Sequence, residues 1–169
     1  MANQQAFWKD IKNHAELKRL LKKHELLHNE PLFDDVVHSV AKAWMSLARI
    51  HLKDAKRCCS KESQRSFYSR SYYAGYNASK AVRYLAVGTV SGSGDDHQKV
   101  SDLPTDFPEN EKWGSFLREL YKHRLISDYD GWRNSTRGLK LNRRKSLKEV
   151  ETFVKACKAY AASKYGVRL

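Results

Sequence analysis

Ala74, Ala78, Ala81 and Leu85 recur at helical steps inside a stretch, Ser63 to Val87, that holds no proline. That spacing lines one face of a helix with small side chains, and small side chains let a neighbouring helix approach closely. A chain built around such a stripe must bury it against other helices. The same stretch carries Phe67, Tyr68, Tyr72, Tyr73, Tyr76 and Tyr84, the densest aromatic set in the sequence. Tyrosines of this kind bury their rings and bond through their hydroxyls, or stack on bases where arginines stand beside them. Arg70, Asn77 and Lys80 fall on the other sides, and Arg70 and Asn77 are candidate nucleic-acid contacts.

The flanking segments repeat the helical period. Gln4 to His28 places Phe7, Trp8, Ile11, Leu17 and Leu21 toward one side and leaves Lys12, Lys18, Lys22 and Lys23 for solvent, and Pro31 ends it. Leu32 to Cys58 lines up Val36, Val37, Val40, Ala41, Trp44, Leu47, Ala48 and His51, with Lys53, Lys56 and Arg57 closing it where cations favour the helix dipole. Trp113 to Trp132 is a short amphipathic helix. Ser146 opens the last one with a Ser-Leu-Lys-Glu capping box, followed by Val150, Phe153, Val154, Cys157, Tyr160 and Ala161. Strand alternation, a glycine-rich phosphate loop and internal repeats are all missing. The expected architecture is all-α, an antiparallel bundle of about five helices, with residues 1–30 as a helical extension and 31–169 as the bundle.

Between Gly88 and Glu111 the periodicity stops. This long loop carries Asp95, Asp96, Asp102, Asp106, Glu109 and Glu111 against the single base Lys99, with Val100, Leu103 and Phe107 to tack it to the core. His97 is its one residue with obvious proton chemistry. An acidic loop beside a basic site invites a second expectation, that it folds over the site in place of the ligand.

The charge balance runs the other way elsewhere. Lys and Arg number 32 against 19 Asp and Glu, a net charge of +13, which predicts attraction to polyanions and says nothing of fold. The sharpest local excess follows Gly131: Arg133, Arg137, Lys140, Arg143, Arg144, Lys145 and Lys148, with no acid among them. Such a run is a solvated connector or a track for a phosphate backbone. The three cysteines form no CxxC pair, and neither a signal peptide nor a membrane span is legible, so a reducing cytoplasm is the expected setting. No zinc pattern appears.

Within the helix from Trp113, Leu117, Leu120 and Tyr121 precede Arg124 on one stripe, and Asp128 follows one turn later, beside Tyr129. Arg124 with Asp128 is either a surface ion pair, worth about 0.2–0.5 kcal/mol, or a phosphate-binding arginine oriented by a carboxylate. His123 points about 100° away around the helix and is expected to face solvent.

Ser-Arg-Ser-Tyr-Tyr-Ala-Gly-Tyr-Asn-Ala-Ser-Lys-Ala from Ser69 to Ala81, then a loop histidine, then Leu-Arg-Glu-Leu-Tyr-Lys-His-Arg-Leu-Ile-Ser-Asp-Tyr-Asp from Leu117 to Asp130, resembles the HEPN family of α-helical domains. The resemblance covers roughly residues 32–165. It implies a four- or five-helix bundle, often a homodimer, of toxin–antitoxin, antiviral-defence or RNA-processing systems. Many members are metal-independent endoribonucleases that need no cofactor, with an arginine followed by a histidine in a cleft shared by two protomers. Arg124 matches the arginine. Asp128, Tyr129 and Asp130 stand where the histidine belongs, as in a branch with an Arg-x-x-Ser/Ala-Asp-Tyr sequence.

Metal-free RNA cleavage needs a base, an acid and a cation, and only the cation is plain in the sequence. A phenol is a poor base at neutral pH, and a solvated carboxylate a weak one. The first expectation is therefore a nucleic-acid module, RNA before DNA or a nucleotide, working with a nucleotidyltransferase-like or defence-complex partner. In it Arg124 holds phosphate, Asp128 orients it, and Arg133, Arg137, Lys140, Arg143, Arg144 and Lys145 track the backbone. The alternatives are an endoribonuclease using His97 or Tyr129 as base, and a structural dimerisation module.

Overall fold

The computed structural model describes residues 22–25, 30–59, 63–88, 94–129 and 142–169. The helical extension expected before Pro31 falls almost wholly outside them, as do Arg133, Arg137 and Lys140. Four α-helices carry the bundle: α1 (Glu30–Cys59), α2 (Gln64–Val87), α3 (Asn110–Tyr129) and α4 (Arg143–Tyr165), with a 3-10 helix, Gly94–Ser101, between α2 and α3. The described residues contain no strand. The all-α expectation holds.

α2 is the central element, packed against α1, α3, α4 and the 3-10 helix. Its alanine stripe does what the spacing demands: Ala74, Ala78 and Ala81 are fully buried. Gly75 brings α3 closer still, because an added Cβ there would stand 2.9 Å from Leu117 Cδ2. Successive helices run antiparallel. Arg65, in the first turn of α2, donates through Nη1 to the carbonyls of Ile126 and Ser127 in the last turns of α3. Leu147, near the start of α4, packs on Ala55, Phe67 and Tyr68. The end of α1, the start of α2, the end of α3 and the start of α4 therefore share one end of the bundle.

Helix boundaries show how local chemistry decides. Pro31 lies in the first turn of α1, where its missing N–H costs nothing. α2 ends at Gly88, whose left-handed φ of 69° lets its N–H reach Tyr84 O. α4 begins three residues before the expected capping box. Asn142 is the cap, its side-chain oxygen accepting from Lys145 N–H, and Ser146 is a buried residue inside the helix. Asparagine caps as well as serine, and the earlier cap adds a turn in which Ser146 is buried.

Three further expectations change. The stretch after Gly88 is not a plain loop, for residues 94–101 form the 3-10 helix, seated by buried Val100, with Leu103 and Phe107 buried just beyond. Lys80 turns inward rather than to solvent. His123 is only 3% exposed, its ring 5.2 Å from that of Tyr68, and its Nδ1 lies 2.9 Å from Glu119 O. A histidine 100° from Arg124 still faces protein because two layers, α2 and the end of the bundle, cover that side of α3.

Candidate nucleic-acid interface

Leu117 and Leu120 are fully buried on the inner face of α3, and Arg124 continues their stripe at the point where α3 nears the bundle end. Its side chain is drawn in with them. Arg124 is 8% exposed. Nη2 donates to Tyr73 Oη at 3.0 Å and to Tyr129 Oη at 3.2 Å. Nε lies 2.8 Å from Asp128 Oδ2, but that buried N–H has no aligned acceptor, so the contact is an ion pair in distance rather than a hydrogen bond. Nη1 makes no hydrogen bond among the described residues.

Burial works against the charge of Arg124. The hydrogen bond to Tyr73 and the nearby Tyr73, Asp128 and Tyr129 outweigh it and hold the pKa above its ordinary value. The guanidinium is thus permanently charged. It also stands over three aromatic rings, 5.0 Å from Tyr129, 5.6 Å from Tyr73 and 5.9 Å from Tyr72. Tyr129, 68% exposed, is the outer wall.

Tyr72 and Tyr73 connect this arginine to His97. The His97 ring stacks on Tyr76 at 4.6 Å and meets Tyr73 edge-on at 6.2 Å, while its Nδ1 lies 2.7 Å from Tyr72 Oη. With Nδ1 so engaged, Nε2 is the nitrogen left for an outside partner. Burial first, and the Arg124 charge second, push the His97 pKa below 6.5, against the pull of Asp96. The imidazole is neutral at neutral pH and able to accept a proton.

What seats His97 is its sequence neighbour. Asp96 is 4% exposed and lies between two buried cations, Arg83 Nη1 at 3.1 Å from Oδ1 and Lys80 Nζ at 3.2 Å from Oδ2, with Tyr76 Oη also donating to Oδ2. Burial alone would raise its pKa; the Tyr76 bond and the two cations prevail and lower it. Lys80 is held in turn over the Trp44 ring at 4.0 Å. The acids of this region face bases other than Arg124: Asp96 these two, Asp106 Lys164, and Glu109 Lys112. Those three carboxylates do not cover the arginine in place of a ligand.

Of the expected site residues, Arg124, Asp128, Tyr129 and His97 come together. Arg70 is exposed on α2 and reaches His51. Asn77 is buried, its Nδ2 donating to Tyr73 O at 2.7 Å, which turns it away from any ligand. Arg143, Arg144 and Lys145 occupy the first turn of α4, at the same bundle end as Tyr129. Sequence reasoning did not assign Tyr73, His51 or Asp96 to the site. Tyr73 and His51 carried a faint signal, a polar group on an otherwise apolar helical stripe; Asp96 carried none, because its partners lie on another helix.

Among the described residues no three His, Cys, Asp or Glu side chains stand together as a metal-holding group, and no helix is long and apolar enough to cross a membrane. A family model described as the HEPN domain matches residues 41–160. Comparison with curated proteins and with solved structures finds no match.

Proposed function

Because the chain belongs to the HEPN domain family, we propose that it is an RNA-binding module that takes a backbone phosphate at Arg124. HEPN domains often dimerise and bind RNA, and a nucleotide-binding or ribonuclease-like module is consistent with the match. One observation carries the reading: Nη2 of Arg124 is fixed by two tyrosine hydroxyls while Nη1 has no hydrogen bond among the described residues. A guanidinium oriented in this way, with an aromatic wall beside it, presents a fork to phosphate without first losing rotamer freedom. Asp128 keeps the charge in place, and Arg143, Arg144 and Lys145 extend the positive field along the same end.

The setting that the paired helix motifs support is a toxin–antitoxin, defence or RNA-processing system of the cytoplasm. There the chain acts as a homodimer alongside a nucleotidyltransferase-like or defence-complex partner. A second reading, a metal-independent endoribonuclease, is favoured by the position of His97. Neutral, half-buried and sharing Tyr72 and Tyr73 with Arg124, it has the chemistry of a base for a ribose 2′-hydroxyl.

Incubating the protein with single-stranded RNA in EDTA, beside Arg124→Ala and His97→Ala, tests both. Binding without cleavage, weakening steeply with salt and lost in Arg124→Ala, supports the module. Cleavage abolished by both substitutions supports the enzyme. RNA affinity untouched by Arg124→Ala overturns the phosphate role.

A further inference from the structure

His51 lies on the side of α1 that meets α2, with its ring tilted against Tyr73 at 5.4 Å between centroids. Arg70 Nη1 stands 3.3 Å from His51 Nδ1. A guanidinium can only donate, so Nδ1 holds the lone pair and the ring proton is on Nε2. Burial, then the Arg70 charge, keep this imidazole below its ordinary pKa while Asp54 pulls the other way, so the neutral tautomer is the one present. Tyr73 therefore packs on the neutral imidazole that Arg70 faces, while its hydroxyl receives Arg124. No carboxylate pairs with Arg70 among the described residues. Its partner is a donor-bearing ring, which leaves the charge of Arg70 uncompensated at the surface.

Arg124 Cζ and the His51 ring are 5.6 and 5.4 Å from the centre of the same tyrosine ring. The two groups therefore stand no further apart than the sum of those distances, a span that one or two nucleotide steps of a single strand can cover. Building on the reading of Arg124 as a phosphate ligand, we propose that Arg70 and His51 form a second phosphate subsite, joined to the first through Tyr73, which both His51 and Arg124 contact. The ligand is then a strand with consecutive phosphates rather than a mononucleotide. Arg70 supplies the charge, and His51 orients that guanidinium and adds its own Nε2–H. A nucleic acid fits better than an acidic peptide because Tyr129, exposed beside Arg124, offers an aromatic face on which a base can stack.

The experiment compares two probes, a short labelled oligouridylate by fluorescence anisotropy and uridine 5′-monophosphate by NMR titration. The proteins are wild type, Arg70→Ala, His51→Ala, His51→Gln and Arg124→Ala, each first checked for an unchanged melting temperature. Arg70→Ala should weaken the oligonucleotide about tenfold and flatten the log–log salt dependence by about 0.7. It should leave the monophosphate unchanged. His51→Ala should weaken the oligonucleotide less, and His51→Gln, which keeps an N–H, should recover part of the loss. Unchanged oligonucleotide affinity and salt slope in Arg70→Ala overturn the subsite, as does equal weakening of both probes or equal competition by polyglutamate. If Arg124→Ala weakens both probes while Arg70→Ala weakens neither, the subsite alone fails. If Arg124→Ala weakens neither, the underlying reading fails.

Discussion

Arg65 Nη1 donates to Ser127 O at 3.0 Å, so the first turn of α2 holds the last turn of α3. The carbonyls it caps are among those a helix end leaves without partners. Asp128 and Tyr129, which follow directly, depend on that turn for their place around Arg124.

Arg65→Ala should fray this turn without unfolding the bundle. We expect amide exchange at Ser127 to Tyr129 to accelerate, RNA affinity to fall several-fold, and global stability to drop by about 1 kcal/mol, in line with one charge-assisted bond that is half-exposed. A stability loss with no change in those amides or in affinity contradicts the link between the cap and the site.

Asp96→Ala should cost far more. It strands Lys80 and Arg83 as buried cations, and removing one partner of a buried ionic group costs about 3–5 kcal/mol. Urea unfolding measures it. Asp96→Asn, which keeps one acceptor for the two donors, should lose less; equal and small losses for both would mean that the cations find other compensation.

Acidification should weaken the fold through His97 and His51. Burial and Arg124 depress the first, burial and Arg70 the second, each below 6.5. The unfolded chain then binds more protons as pH falls through 6.5, so the contribution is whole above that pH and is lost as pH drops through the depressed folded values. The groups facing His97 are Arg124, Asp96, Lys80 and the tyrosines 72, 73, 76 and 121; those facing His51 are Arg70, Asp54 and Tyr73. Melting temperatures of wild type should slope downward from about pH 7.5 to about 5.5, and the slope should flatten in His97→Gln with His51→Gln. Parallel slopes would assign the acid sensitivity elsewhere.

Gly75→Ala sets two effects against each other. Alanine gains about 1 kcal/mol of helix propensity over glycine. The new Cβ meets Leu117 Cδ2 at 2.9 Å in a full core, and overpacking of this kind costs about 1–3 kcal/mol. We expect a net loss of about 1 kcal/mol by denaturant titration, recovered when Leu117→Val makes room. A net gain would show that the leucine simply rotates away.

How much of this the sequence disclosed follows from the range of the interactions. The stripe of Ala74, Ala78 and Ala81, the turn of Gly88 and the apolar faces of α3 and α4 are local patterns, and the all-α bundle was readable from them. Arg124, Asp128 and Tyr129 also lie within one and a half turns, so their grouping was legible. The capping of α4 was misread because Asn142 and Ser146 are both good caps, and the burial of Ser146, a tertiary fact, tells them apart. Asp96 and His123 were misjudged for a related reason. Their surroundings are Lys80 and Arg83 in one case and Tyr68 in the other, residues from distant parts of the chain that no spacing rule connects.

Asp96 and His97 are consecutive, yet one is locked inward on Lys80 and Arg83 while the other borders the arginine. The arginine half of the proposed interface belongs to the bundle helices, and the imidazole half to a short 3-10 segment that Asp96 and Val100 pin to α2. Any ligand that touches both must bind the closed segment. Its observed affinity is the intrinsic one scaled by the fraction of molecules in which residues 94–101 are docked. Substitutions under Asp96, outside the contacts of the arginine itself, therefore tune binding strength as a dial on that fraction.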